Sequence, residues 1–295
     1  MITNKKNLVH LALFAVALFY AGNFSFAKWA MPQYISPSAF ILLRVGSGMV
    51  FFVFYYLFFS TERIKQKQDY WQLFTAAFFG VAFNMTAFFK GLSMTSSINA
   101  SVLMLMAPVF VVIFSAIGNK TPIKPIVYTG IIIAFIGAAL LADVFHFSID
   151  NNGLMGDILV MLNATSYAYY LYFVARLLKK YNAITITTFL FVFGFMMVLP
   201  IGVSDFVNVE WTSLPNKAIF SMTYVIIGVT ILAYLMNAWA LQNSNSTTVG
   251  SYIYLQPLLA TLIAISLGMD YLSIEKVGYG LLIISGLFLV NKGKN

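Results

Sequence analysis

The chain has no cysteine, which excludes disulfides, thiolate metal sites and thiol catalysis. It carries little charge: 9% of its 295 residues are Asp, Glu, Lys or Arg, against roughly 25% in a soluble domain. So few charges could not cover a globule of this size, and lipid must be the solvent for most of the chain. Acid is scarcest. The nine carboxylates are Glu62, Asp69, Asp143, Asp150, Asp157, Asp205, Glu210, Asp270 and Glu275. All map to loops or helix ends, and the two histidines, His10 and His146, are also peripheral. Proton-coupled carriers usually hold a carboxylate or imidazole inside the membrane as a relay, so this distribution points to facilitated diffusion or exchange. No phosphate-binding loop, zinc-binding helix or nucleophile motif occurs. No cofactor, no metal and no ATP hydrolysis are expected, and an enzyme would need a cluster of acid, base or ligand residues that is missing.

What the chain has in excess is apolar surface: 61% hydrophobic residues and 17% aromatic ones. A bilayer core needs about 20 apolar residues per helix. Breaking the sequence at polar, Pro and Gly clusters predicts ten spans, at 8–30, 38–59, 71–91, 96–117, 123–142, 154–177, 184–204, 217–241, 248–268 and 275–291. Met1–Asn7 is short and basic, but no small-residue cleavage site follows it. The first apolar run is therefore expected to stay as a helix. The formal charge of +8 sits mostly in loops, where it sets orientation, so nucleic acid is not an expected partner. With the N-terminus cytoplasmic, twelve of the seventeen Lys and Arg fall inside, as positively charged inner loops require. The 143–156 segment has neither Lys nor Arg and suits an external linker. Both termini are then cytoplasmic, in a cell (inner) membrane.

A shift of 149 residues superposes landmarks. Leu92 meets Leu241, Ser97 meets Ser246, Pro108 meets Pro257 and Gly137 meets Gly286. Met94-Thr95-Ser96-Ser97 corresponds to Asn243-Ser244-Asn245-Ser246, and a shift of 148 brings Lys28 onto Arg176. The chain thus divides into halves at 1–142 and 154–295, joined by a linker at 143–153. Five helices per half is odd, so the second half enters the membrane from the opposite side. Inverted repeats of this kind recur in secondary transporters. A scaffold has less need of such symmetry.

The sequence resembles the drug/metabolite transporter superfamily, in particular its EamA-type ten-helix members. The resemblance rests on Ala21-Gly22-Asn23-Phe24 with Lys28, on Pro37 and Arg44, and on Gly91-Leu92-Ser93 with Thr95-Ser96-Ser97 and Ala107-Pro108. In the second half it rests on Ala240-Leu241, Gln256-Pro257 and Gly278 to Gly286. It covers almost the whole chain. It implies an all-α polytopic fold with a central cavity between the halves, and solutes such as amino acids and related metabolites. The family often carries Gly-Glu after the fourth and ninth helices. Here Gly118-Asn119 and Gly268-Met269-Asp270 stand in those places.

Pro108 and Pro257 occupy matching helices. Proline removes a helical hydrogen bond, and interrupted helices at equivalent places point to a transporter's site; both are expected to hinge or line the cavity. Lys28, Arg44 and Lys90 are costly near a bilayer. Snorkelling toward headgroups suits Lys28 and Lys90, with anion binding as the other reading. Arg44 lies deeper, as a tie between helices or a contact for substrate. Asn23, Asn84, Asn99, Asn163, Tyr167, Tyr234, Asn237, Trp239, Tyr252 and Gln256 complete the cavity candidates. Asn163 and Tyr167 share a helix face, as do Tyr252 and Gln256. Amides with aromatic edges suit a small zwitterion or aromatic compound; for each residue alone, interhelical bonding is the plainer role. Met104 and Met106 read as packing. The expected function is a secondary exporter or exchanger of small metabolites such as amino acids. An importer or exchanger of a larger anionic, nucleotide-linked metabolite is the alternative. The partners are the solute and the bilayer, with monomer and homodimer both open.

Overall fold

The computed structural model describes residues 2–120, 122, 124–141, 152–243 and 252–294. Most of the 143–153 linker and of the second Ser/Asn turn lies outside them. Among the described residues the fold is all helix. Ten helices follow in order: α1 Asn7–Trp29, α2 Pro37–Phe59, α3 Lys67–Met94, α4 Ser97–Gly118, α5 Pro125–Leu141, α6 Asn152–Lys179, α7 Ala183–Val207, α8 Asn216–Asn237, α9 Leu255–Ser266 and α10 Ile274–Lys294. Seven are long and apolar enough to cross a membrane, and α5 and α9 are shorter apolar helices. Side chains such as Phe58, Val207 and Ile274 stand 69%, 73% and 89% exposed. That is tolerable only where lipid covers them.

Local chemistry sets the breaks. Ser36 caps α2, its hydroxyl accepting from the Ala39 amide, with Pro37 opening the helix. Ser96 caps α4 by accepting from Asn99 N. Asn182 caps α7 by accepting from Thr185 N. Extended Thr95 ends α3. The expected mid-helix prolines differ from the structure in one respect. The chain tightens into a 3-10 turn at Met104–Met106 and again at Tyr252–Tyr254, and Pro108 and Pro257 sit at the start of the α segments that follow. Neither proline therefore opposes an intact helix.

The packing has a repeating pattern. α1 packs on α8 and α9, while α6 packs on α3 and α4. α2 packs on α7 and α5 on α10. Renumbering α1–α5 as α6–α10 maps each contact onto another or onto itself. α5 and α10 approach closely: a Cβ on Gly130 would lie 2.6 Å from the Gly286 carbonyl oxygen, and one on Gly286 2.5 Å from that of Gly130. Only glycine permits the crossing. α2 and α7 run antiparallel and are clamped at both ends. Ser36 donates to Asp205 at 2.7 Å, with Ser38 also donating to that carboxylate. At the opposite end the Asn182 amide donates to Glu62 at 2.9 Å. Each clamp joins a carboxylate near one helix's C-terminus to the other's N-cap. A surface cleft of about 430 Å³ lies at the Asp205 clamp and another of about 640 Å³ at the Glu62 clamp.

Candidate functional site

Arg44 sits in the second turn of α2, within an almost wholly apolar helix, and is 6% exposed. Its Nε donates to Thr230 Oγ1 of α8 at 2.8 Å. Its guanidinium carbon lies 5.3 Å from the centroid of Phe89 of α3, a ring with no exposure. Thr230 is itself fixed, donating to Val225 O at 2.9 Å within a π-helical stretch, Tyr224–Leu232. That stretch has a counterpart in α3 at Phe78–Ala82. There the irregular backbone leaves the Phe79 carbonyl to accept from Ser166 of α6 at 2.7 Å. π segments interrupt helices and often mark functional sites.

Tyrosines gather around the cation. Tyr20 of α1 and Tyr234 of α8 are within electrostatic reach of Arg44, and Tyr167 and Tyr170 of α6 are within reach of Tyr20. The Tyr167 and Tyr170 rings lie 6.0 Å apart. Tyr234 stands edge-on to Phe52 and Phe191. All four lie deep inside the bundle and yet are only partly buried. The four rings therefore keep accessible surface. Of the sequence candidates, Arg44, Tyr167 and Tyr234 meet here. Tyr20, Tyr170, Thr230 and Phe89 were not singled out. The signal for Tyr20 is its place 147 residues before Tyr167; for Tyr170, its i+3 spacing from Tyr167.

The remaining candidates disperse. Asn84 and Asn163 lock α3 to α6 reciprocally: Asn84 Nδ2 donates to Asn163 O at 3.2 Å and Asn163 Nδ2 to Asn84 O at 2.9 Å. Asn23 is buried, and its Oδ1 has no partner among the described residues. Tyr252 pairs with His10 Nδ1 at 2.9 Å, toward the start of α1. Trp239 is 37% exposed. Asn237 and Gln256 are half-buried. Lys90 is exposed on α3. Lys28 is half-buried and does not snorkel freely. It donates to Leu92 O at 3.1 Å and to Thr95 O, closing the C-terminus of α3, where a cation suits the helix dipole.

Around Lys28 the chain builds a polar seal at the end of the bundle shared with Ser36 and Asp205. Asp157 accepts from Thr95 Oγ1 and, at 3.2 Å, from Asn99 Nδ2. Ser97 donates to Phe24 O at 2.8 Å. Asp270 accepts from the Ile98 amide at 3.1 Å, capping α4, and pairs with Lys276 at 3.0 Å. Burial works to raise the Asp270 carboxyl, but hydrogen bonds from Ser96, Lys276, Ile98 and Tyr271 outweigh it and hold it below the usual carboxylate range. The described acids lie in loops or toward helix ends, but they are not all exposed, and Asp143 and Asp150 lie outside the described residues. Asp157 within α6 is 3% exposed and Asp69 at the start of α3 is 1% exposed. Tyr181 donates to Asp69 at 2.8 Å and Lys180 pairs with it at 3.0 Å. Both carboxylates lie in the first turns of their helices, and it is their burial that the sequence did not foretell.

The profile of the EamA-like transporter family matches residues 7–142 and 154–292. Among similar proteins, two from Archaeoglobus fulgidus are each named an uncharacterized transporter. One is 27% identical over 95% of this chain and 96% of its own; the other is 28% identical over 97% and 98%. The uncharacterized transporter YyaM of Bacillus subtilis is 23% identical over 95% of this chain and 92% of its own. A solved crystal structure at 16% identity superposes with a TM-score of 0.64 over 96% of this chain and 97% of that one. That likeness concerns the fold.

Proposed function

The chain belongs to the EamA-like transporter family, and from that premise we propose that it is a secondary exporter or exchanger of small organic solutes of amino-acid size. It works by alternating access and without ATP hydrolysis. In this reading the halves 1–142 and 154–295 are inverted repeats, 143–153 is an external linker, and both termini face the cytoplasm of a cell membrane. One observation carries the proposal: deep tyrosines from α1, α6 and α8 keep accessible surface around a buried arginine of α2. The residues come from both halves, so relative movement of the halves exposes the same groups to either side. In this orientation the seal of Lys28, Asp157 and Asp270 closes the external end. The breaks before Pro108 and Pro257 and the paired π segments serve as the places where helices bend.

The test is uptake and efflux of a labelled panel of amino acids and their carboxylic relatives in proteoliposomes. Saturable movement of at least one solute, without added nucleotide, is expected. Silence across the panel overturns the reading. A larger anionic metabolite would want several cations converging. Arg44 favours that alternative, but Lys28 is engaged by carbonyls and Lys90 is exposed, so the smaller solute is the better fit.

A further inference from the structure

Arg44 is buried without a carboxylate. Its Nε is committed to Thr230 and its face to Phe89. The two terminal nitrogens have no hydrogen-bond acceptor among the described residues, yet they are not among the sealed, unpartnered atoms. The fork therefore keeps some accessible surface, within electrostatic reach of Tyr20 and Tyr234. The described carboxylates stand elsewhere: Glu62, Asp69, Asp157, Asp205 and Asp270 are each engaged by the bonds that clamp or seal the ends of the bundle, and Glu210 and Glu275 are exposed. Symmetry does not supply a second cation. The positions 148 and 149 residues after Arg44 hold Val192 and Phe193.

A planar fork with free donors matches an oxyanion in a bidentate pair. One unit of charge suits a monoanion. The aromatic walls suit an apolar tail, and tyrosine hydroxyls can donate to the same oxyanion. An α-ammonium group finds no carboxylate here among the described residues. It is held beside a guanidinium of its own sign, in surroundings where water screens little. We propose that Arg44 is the anchor for a solute carboxylate, and that the site selects small apolar-tailed monocarboxylates over the amino acids of the same skeleton. This rests on the transporter reading and narrows it to a solute class. Thr230 is a positioning residue, aiming the fork by holding Nε.

Equilibrium binding to the purified full-length protein in detergent tests the proposal. The probes are two matched pairs, 3-phenylpropionate with phenylalanine and 4-methylpentanoate with leucine, plus phenethylamine and inorganic phosphate. At least one monocarboxylate is expected to bind about tenfold more tightly than its amino acid, since like charges juxtaposed at a binding site are strongly disfavoured. Phenethylamine and phosphate are not expected to compete. Arg44→Lys, which keeps the charge and loses the fork, should weaken the carboxylate by about tenfold. Thr230→Val should erase the preference between the paired probes while the protein still folds, at a lower unfolding temperature because Arg44 Nε and Val225 O lose their buried partner, and Thr230→Ser should restore both. Equal or tighter binding of the amino acids, competition by phenethylamine or phosphate, or no binding of either monocarboxylate overturns the inference. A transported solute lacking a carboxylate also overturns it while leaving the transporter reading intact. If no solute moves, the transporter reading itself falls.

Discussion

Arg44 is expensive where it sits. A cation at the centre of a membrane helix costs about 2.5–3.5 kcal/mol on insertion scales, and this one recovers part of that through Thr230 and Phe89. Its charge made it visible in the sequence. Thr230, Tyr20 and Tyr170 were not, because helices that are apolar all round give no periodic clue to which face turns inward. Asn84 and Asn163 were visible as polar amides in apolar runs, but they bond across helices rather than point into the site. Such interhelical bonds average about 0.6 kcal/mol in membrane proteins. Asn84→Ala and Asn163→Ala should each lower the unfolding temperature. Each change removes one bond and leaves the backbone carbonyl that accepts the other, so the double variant should lose close to the sum of the two. A single variant that already shows the full loss of the double would contradict two separate bonds. Asp270 gives a pH test. Its carboxyl is held lower folded than unfolded, so its stabilisation is complete above the unfolded value of about 3.9 and is lost as pH falls through the folded value. Wild type and Asp270→Asn should differ by a constant unfolding temperature between pH 8 and 5. The gap should close only below about pH 4.

Elements carry the next layer. The ten helices, seven of them long and apolar enough to cross a membrane, were legible because apolar length and Ser, Pro and Gly breaks are local features. The π segments at Phe78–Ala82 and Tyr224–Leu232 were not, since an extra residue in a helical turn leaves no mark in composition. Their placement in the third helix of each half argues for a shared mechanical role. A Cβ on Gly80 would meet the Tyr170 ring at 2.5 Å, so Gly80→Ala must displace a tyrosine of the site. Solute affinity should weaken several-fold while the protein still folds. Unchanged binding would separate Tyr170 from the solute. Pro108 and Pro257 each follow a 3-10 turn. If those turns are hinges, Pro108→Ala and Pro257→Ala slow transport and leave equilibrium binding intact. Loss of binding instead would make the prolines part of the site wall.

At the scale of the molecule, two carboxylate clamps hold opposite ends of the α2–α7 pair: Asp205 on Ser36 and Ser38, and Glu62 on Asn182. The sequence's 149-residue shift anticipated the pairing of landmarks but not these clamps, whose partners lie far apart in the chain and follow no motif. Nor did it anticipate that the charged seal of Asp157, Asp270 and Lys28 gathers at one end. The clamps offer a direct handle, because the chain has no native cysteine to interfere. The central claim is that one interior site is reached from both faces of the membrane in turn. The most direct measurement is labelling of a single Tyr167→Cys variant in proteoliposomes with a membrane-impermeant thiol reagent applied from one side or the other. It is repeated with the Ser38→Cys and Asp205→Cys pair cross-linked. Labelling is predicted from both sides, and cross-linking should abolish it from the Asp205 side alone. Labelling from only one side in every state, or from neither, would contradict alternating access through this site.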